Sequence, residues 1–341
     1  MPSAERLETR PIPAFTDHQP SSEAFRTAVL VGLSEQRKAI PCRFLYDGPG
    51  SALFDRICDL PEYYPTRTET EILRGHADQI AALVGPDAQL VELGSGASDK
   101  VRILLDALQA PAAYVPIDIS AAHLLKAASG IQIDYPALSV HAICADYGKP
   151  FDLPPTTGGR RVGFYPGSTI GNMTPRQAQA FLARWAERLG PGAAMIVGVD
   201  LRKDASVIEP AYDDAQGVTA AFSLNLLACA NRELGGDFDL SSFRHQARYL
   251  AGEGRVEIHL RSLKRQTVNV AGWSFAFAEG ELLHVEDSWK YTVDGFTTLA
   301  EAAGFESVGA FVDDEGLFSV HVLKTRTARV QPPQTTSGDR P

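Results

Sequence analysis

From about residue 79 to residue 199 the chain alternates short apolar runs with stretches whose apolar residues recur every three or four positions. Short apolar runs bounded by turn residues read as buried strands, and the longer spacing reads as helices with one buried stripe. The strands expected are 90–93, 113–117, 138–145, 161–165 and 193–199. Such alternation builds a parallel sheet with crossover helices. One crossover is marked at both ends. Thr174 is its N-cap, Pro175 its first helical residue, Gln177 the capping-box partner and Gly190 the stop, with Ala178, Phe181, Leu182, Trp185 and Leu189 on the buried stripe. After a helix at 295–303, two alternating strands (307–312 and 317–323) flank Asp313-Asp-Glu-Gly316, which predicts a closing antiparallel hairpin.

Between about residues 200 and 291 the rhythm changes. A helix at 215–234 is followed by strands at 255–260 and 282–290, with an aromatic run at 273–277. This is too long for a crossover and reads as an α+β insertion, with residues 25–64 expected to pack against it. Residues 1–20 are polar and Pro-rich, and 326–341 have a disordered composition. The expected division is a smaller unit of 21–66 with 202–290, and a main unit of 67–201 with 291–325, between two disordered tails.

Composition narrows the partners. At 341 residues the chain exceeds one ordinary core, consistent with an insertion or two domains. A net charge of −10 with no basic run argues against nucleic acid or an anionic membrane surface, leaving a small molecule as the expected partner. Cys42, Cys58, Cys144 and Cys229 form no CxxC pair and the histidines show no ligand spacing, so neither disulfide nor metal is expected. No apolar leader and no run of about 20 apolar residues appears. A cytoplasmic monomer is expected.

The chemistry is concentrated at Val91-Glu-Leu-Gly-Ser-Gly-Ala-Ser-Asp-Lys100. Two glycines at a strand-to-helix turn let a ligand lie against backbone and a helix N-terminus. A dinucleotide site wants a third glycine at position 99, where this chain has Asp99. The turn therefore fits the acid-x-Gly-x-Gly loop of S-adenosylmethionine (SAM) methyltransferases better than a pyrophosphate loop. Ligands of open α/β sheets lie off the carboxyl ends of the strands. The second strand ends at Asp118, suited to a ribose diol, and the third at Asp146-Tyr147, suited to an adenine. Lys100, in the first turn of the following helix, can reach a cofactor carboxylate.

Several segments together resemble the histidine Nα-methyltransferases of ergothioneine biosynthesis. They are Phe44-Leu-Tyr-Asp-Gly-Pro-Gly-Ser-Ala-Leu-Phe-Asp55, Leu60-Pro-Glu-Tyr-Tyr-Pro-Thr-Arg-Thr-Glu69, Glu92-Leu-Gly-Ser-Gly96, Gly167-Ser-Thr-Ile-Gly-Asn172, Asn231-Arg-Glu-Leu234 and His284-Val-Glu-Asp-Ser-Trp-Lys-Tyr291, within a likeness from about 22 to 325. The resemblance implies a class I SAM-dependent methyltransferase, with a mostly parallel seven-stranded α/β sheet, a terminal antiparallel hairpin and a smaller α+β substrate-binding domain. It implies three methylations of the α-amine of L-histidine to give hercynine. By matching motif, Tyr46, Gly94, Lys100, Asp118, Asp146 and Tyr147 would contact SAM. Tyr63, Asn172, Tyr212 and Glu286-Asp287-Ser288 would contact histidine, with Gly167 lining the pocket and Tyr46 and Asn172 orienting the reacting amine.

The residues add one argument of their own. Neutral imidazole has one donor and one acceptor nitrogen. Glu286 and Ser288 stand two apart in a strand and share a face, so one can accept while the other donates. His284 is expected on that same face, and Leu283, Val285 and Asp287 on the other. No dedicated base is apparent, so solvent or a neighbouring tyrosine oxygen is expected to take the proton. Two alternatives remain: a related N-methyltransferase for another amino acid such as a tryptophan derivative, and a non-catalytic SAM-binding protein.

Overall fold

A computed structural model of the chain describes residues 13–18, 22–96, 99–156 and 159–326. The N-terminal part runs β1 (Ala14–Asp17), α1 (Ser22–Ser34), α2 (Gly48–Cys58) and α3 (Tyr64–Val84). The alternating region follows as β2 (Gln89–Leu93), α4 (Asp99–Ala107), β3 (Ala113–Asp118), α5 (Ala121–Asp134), β4 (Ser139–Cys144), β5 (Arg161–Tyr165), α6 (Pro175–Leu189) and β6 (Ala194–Asp200). The insertion holds α7 (Ala205–Tyr212), α8 (Val218–Leu234), β7 (Phe243–Leu250), β8 (Arg255–Ser262), β9 (Gln266–Val270), β10 (Trp273–Phe277) and β11 (Leu282–Trp289). The chain closes with α9 (Val293–Ala302), β12 (Phe305–Val312) and β13 (Phe318–Thr325).

The buried runs form one sheet of order β1-β4-β3-β2-β5-β6-β13-β12. All of its pairs are parallel except those made by β13, which runs antiparallel to both β6 and β12. Successive side chains of a strand point to opposite faces. Leu90 thus enters one core with Ile72, Leu104 and Ile131, while Val91 and Leu93 enter the other with Phe181, Trp185 and Phe296. The capping box at Thr174 and Gln177 is present, and Gly190 closes α6.

The sheet has eight strands rather than seven. Residues 14–17, expected in a disordered tail, form β1, which pairs with β4 through Thr16 Oγ1 and the His141 ring (2.8 Å) as well as the ladder. The rest of the expected tails, 1–12, 19–20 and 327–341, lies outside the described residues. A third core draws Phe25, Val29, Leu33, Leu45, Ile57, Tyr63 and Tyr64 together with Ile208, Phe222, Leu226, Ile258 and Leu283, so residues 25–64 pack against the insertion. The expected helix at 215–234 begins at Val218. Asp214 accepts from the amides of Val218 (3.0 Å) and Thr219 (2.7 Å), satisfying the free N–H groups of its first turn. The preceding α7 went unread because Pro210 lies inside it.

Candidate active site

A cavity with about 560 Å³ of empty space, part of it open to solvent, lies where α2, the turn before α3, the loop after β5, α7, α8 and β11 converge. Tyr46, Tyr63, Gly167, Asn172, Tyr212, Glu286 and Ser288 all line it. So do Phe54, Thr219, Phe222, Ser223 and Ile258, which the sequence did not single out. The apolar ones among them read as ordinary core in the sequence, and only tertiary folding turns all five to a hollow.

Each wall is fixed locally. The turn carrying Tyr63 is clamped by Arg67, whose guanidinium donates to the carbonyls of Leu60 (2.8 Å), Pro61 (2.6 Å) and Tyr63 (3.3 Å). Tyr46 precedes Asp47, the N-cap of α2, which accepts from the Gly50 amide (2.8 Å) and from Asn225 Nδ2 (2.8 Å). The Tyr46 ring stands edge-on to Phe54 (5.5 Å) and Phe222 (5.3 Å), forming an aromatic wall. Burial raises the Tyr46 and Tyr63 hydroxyls well above the ordinary tyrosine value, so both remain protonated phenols.

After β5 the backbone turns left-handed at Gly167 (φ +76°) and Ser168 (φ +56°), and Ser168 Oγ accepts from the Asp200 amide at 2.9 Å. Gly171 then passes so close to β11 that a Cβ there would lie 2.7 Å from the Trp289 carbonyl oxygen. That approach places Asn172 beside Glu286 on the cavity wall, where its amide favours the carboxylate form.

Strand β11 carries a bulge between His284 and Glu286, and this changes the expected facing. Glu286 and Ser288 stand opposite Ile258 and Val256, with Leu283 on that same side opposite Leu260. His284 and Asp287 face the other way, opposite His259 and Glu257. Asp287 Oδ1 accepts from Arg255 Nη1 (2.8 Å) and lies 3.2 Å from the His284 ring, outside the cavity. Asp287 is therefore corrected from a substrate contact to an ion-pair partner of Arg255. The facings of His284 and Leu283 are reversed from expectation, because the extra residue shifts the alternation by one. Burial pushes Glu286 up to about 7, against the pull of the Lys290 charge.

The glycine loop lies at the end of β2. Gly94 (φ +75°) and Gly96 (φ +41°) adopt conformations that a side chain would strain. Asp118 accepts from the Ser120 amide (2.9 Å) and Asp146 from the Gly148 amide (2.9 Å), so backbone donors hold both strand-end carboxylates in place. Tyr147 stands 3.8 Å from where a Gly94 Cβ would be, bringing the ring beside the loop. The buried hydroxyl of Ser95 has no partner among the described residues. A bare loop, two placed carboxylates, an adjacent ring and an unspent hydroxyl fit a nucleoside-bearing ligand such as SAM. Lys100 Nζ lies 2.5 Å from Glu69 Oε2, and that same oxygen accepts from the Gly167 amide at 2.8 Å. Glu69, at the end of the Pro-Glu-Tyr-Tyr-Pro-Thr-Arg-Thr-Glu segment, thus ties the cofactor loop to the cavity. This tie was not foreseen from the motif alone.

Residues 25–325 match the family described as histidine-specific, SAM-dependent methyltransferases. The chain is 42% identical over 305 residues to the histidine N-alpha-methyltransferase of Mycolicibacterium smegmatis, covering 88% of this chain and 94% of that one. It is 41% identical over 302 residues to the protein of the same name from Mycobacterium tuberculosis, covering 87% and 94%. Ergothioneine biosynthesis protein 1 of Schizosaccharomyces pombe is 29% identical over 305 residues, 85% of this chain but 39% of that longer protein. With a family match across nearly all of the described residues, the chain belongs to the SAM-dependent, histidine-specific methyltransferases.

Proposed function

We propose that the protein methylates the α-amine of L-histidine three times, giving hercynine, with Tyr46, Tyr63, Asn172, Tyr212, Glu286 and Ser288 holding the substrate. The observation that carries this reading is the meeting of an acceptor, Glu286, and a donor-capable hydroxyl, Ser288, on one cavity wall, while Tyr46, Tyr63 and Asn172 form the remainder. Histidine's ring needs the first pair, and its amino-acid end needs the second set.

Bound SAM supplies an electrophilic methyl group on a sulfonium. Gly94, Asp118, Asp146 and Tyr147 would hold it, and Lys100 would meet its carboxylate by leaving Glu69. The cavity residues supply position, and holding an amine in line is worth as much as about 7 kcal/mol of barrier. Asn172 lines the cavity beside Glu286, and its amide carbonyl oxygen can accept from the α-amine. The Tyr46 and Tyr63 phenols stay protonated, so they orient by hydrogen bonding and the amine's proton leaves to solvent. The rings of Tyr46, Phe54 and Phe222 accommodate the growing positive charge of the methylated amine through their faces. A trimethylated nitrogen has no lone pair, so the sequence ends there.

Mass spectrometry of the protein incubated with SAM and L-histidine, L-tryptophan or L-tyrosine tests the reading. One, two and three added methyl groups on histidine alone are expected. Methylation of tryptophan or tyrosine in preference to histidine would overturn it.

A further inference from the structure

Behind the cavity lies a buried charge cluster that the substrate reading does not use. Lys290, its side chain fully buried, directs Nζ to Asp200 Oδ2 (2.5 Å), the Tyr212 hydroxyl (2.5 Å) and Ser288 Oγ (2.9 Å). An ammonium has three N–H bonds, and all three are used. Asp200, equally buried, also receives Lys203 Nζ (2.5 Å) and the Tyr64 hydroxyl (2.9 Å). Burial alone would depress the Lys290 ammonium, but Asp200 and Tyr212 hold it above its ordinary value, so it stays charged. Tyr212 and Ser288 touch each other at 3.0 Å and both line the cavity.

Lys290 can only donate, so both hydroxyl oxygens accept from it. One hydroxyl proton is spent on the Tyr212–Ser288 contact. One remains, and among the described residues neither hydroxyl has a further partner, while Asp200 accepts from Lys290, Lys203 and Tyr64. That proton is left facing the cavity.

We propose that Lys290, seated on Asp200, is a positioning residue that makes the Tyr212–Ser288 hydroxyl pair a one-way donor toward the substrate ring. The inference rests on the histidine reading above and deepens it. With Glu286 as acceptor on the same wall, the cavity selects a ring that carries one N–H and one bare nitrogen. A buried donor with no partner is costly, so a ring lacking the acceptor nitrogen is rejected. Without Lys290 the two hydroxyl oxygens lose the donor that obliges them to accept, either hydroxyl can turn to present an oxygen to the ring, and the selection fades.

The test is calorimetric binding of L-histidine and of its two pyrrole analogues, in which one or the other ring nitrogen is replaced by C–H and the remaining one keeps its hydrogen. Wild type is expected to prefer histidine by roughly tenfold or more, the worth of one buried hydrogen bond. In Lys290→Met the preference is expected to shrink to about threefold or less, while Lys290→Arg, which keeps the charge, retains more of it. A purely structural role would weaken all three ligands alike and leave the ratio unchanged, which overturns the proposal. If Lys290→Met does not fold, the neutral but polar Lys290→Gln gives the same comparison. A wild type that binds histidine without preferring it also overturns the proposal. A wild type that does not bind histidine at all overturns the substrate reading instead.

Discussion

The two halves of the site are built from different materials. The cofactor side is made of backbone: two left-handed glycines, amides holding Asp118 and Asp146, and the ends of parallel strands. The cavity side is made of side chains from segments as distant as Tyr46 and Ser288, placed by a bulge, a glycine contact and a buried ion cluster. A backbone site tolerates varied surroundings and leaves its mark in a short motif. A side-chain site can be re-specified one residue at a time, and its logic is visible only in three dimensions.

The comparison breaks most sharply at Gly94. Gly94→Val places a β-branched residue at φ +75° and is expected to weaken SAM binding by about tenfold to a hundredfold, with the fold retained by circular dichroism. On the other side, Gly171→Ala forces the loop off the Trp289 carbonyl and withdraws Asn172 from Glu286. Histidine affinity by calorimetry should fall about fivefold to tenfold while SAM affinity barely changes.

What the sequence disclosed follows the same division. The strands of the alternating region, the α6 capping box, the closing hairpin and the glycine loop were legible because each is encoded by neighbouring residues, whereas β7 and β9 of the insertion were not read. The bulge in β11 was not, since nothing in His284-Val-Glu-Asp-Ser288 distinguishes a continuous strand from one with an extra residue. That single feature reversed the facing of His284 and Leu283, whereas Asp287 faces away from Glu286 and Ser288 as simple alternation requires. The Glu69 tie to Lys100 and Gly167, and the Lys290 cluster, were equally hidden because their partners lie up to 136 residues apart. The strand β1 was lost to its own brevity among polar residues.

Charge sharpens the comparison further. Burial raises Glu286 to about 7, so its accepting carboxylate form grows as pH rises through that value. Histidine binding should therefore strengthen between about pH 6 and 8, and Glu286→Gln should remove the part of the profile that is not histidine's own titration. The smallest effect belongs to the sheet. Glu92, hydrogen-bonded by Tyr114 beneath the glycine loop, is raised by burial to about 8. A carboxyl that holds its proton longer in the folded state makes stability fall as pH rises from the unfolded value near 4.5 toward 8. Denaturant titrations of Glu92→Gln should show a shallower decline over that window.

The most direct test of the division itself is calorimetric titration of Glu286→Ala with histidine and, separately, with SAM. The account predicts that histidine affinity falls by roughly a hundredfold, since both the ring acceptor and the partner of Asn172 are lost, while SAM affinity stays within about twofold. Unchanged histidine affinity, or an equal loss for both ligands, would contradict it.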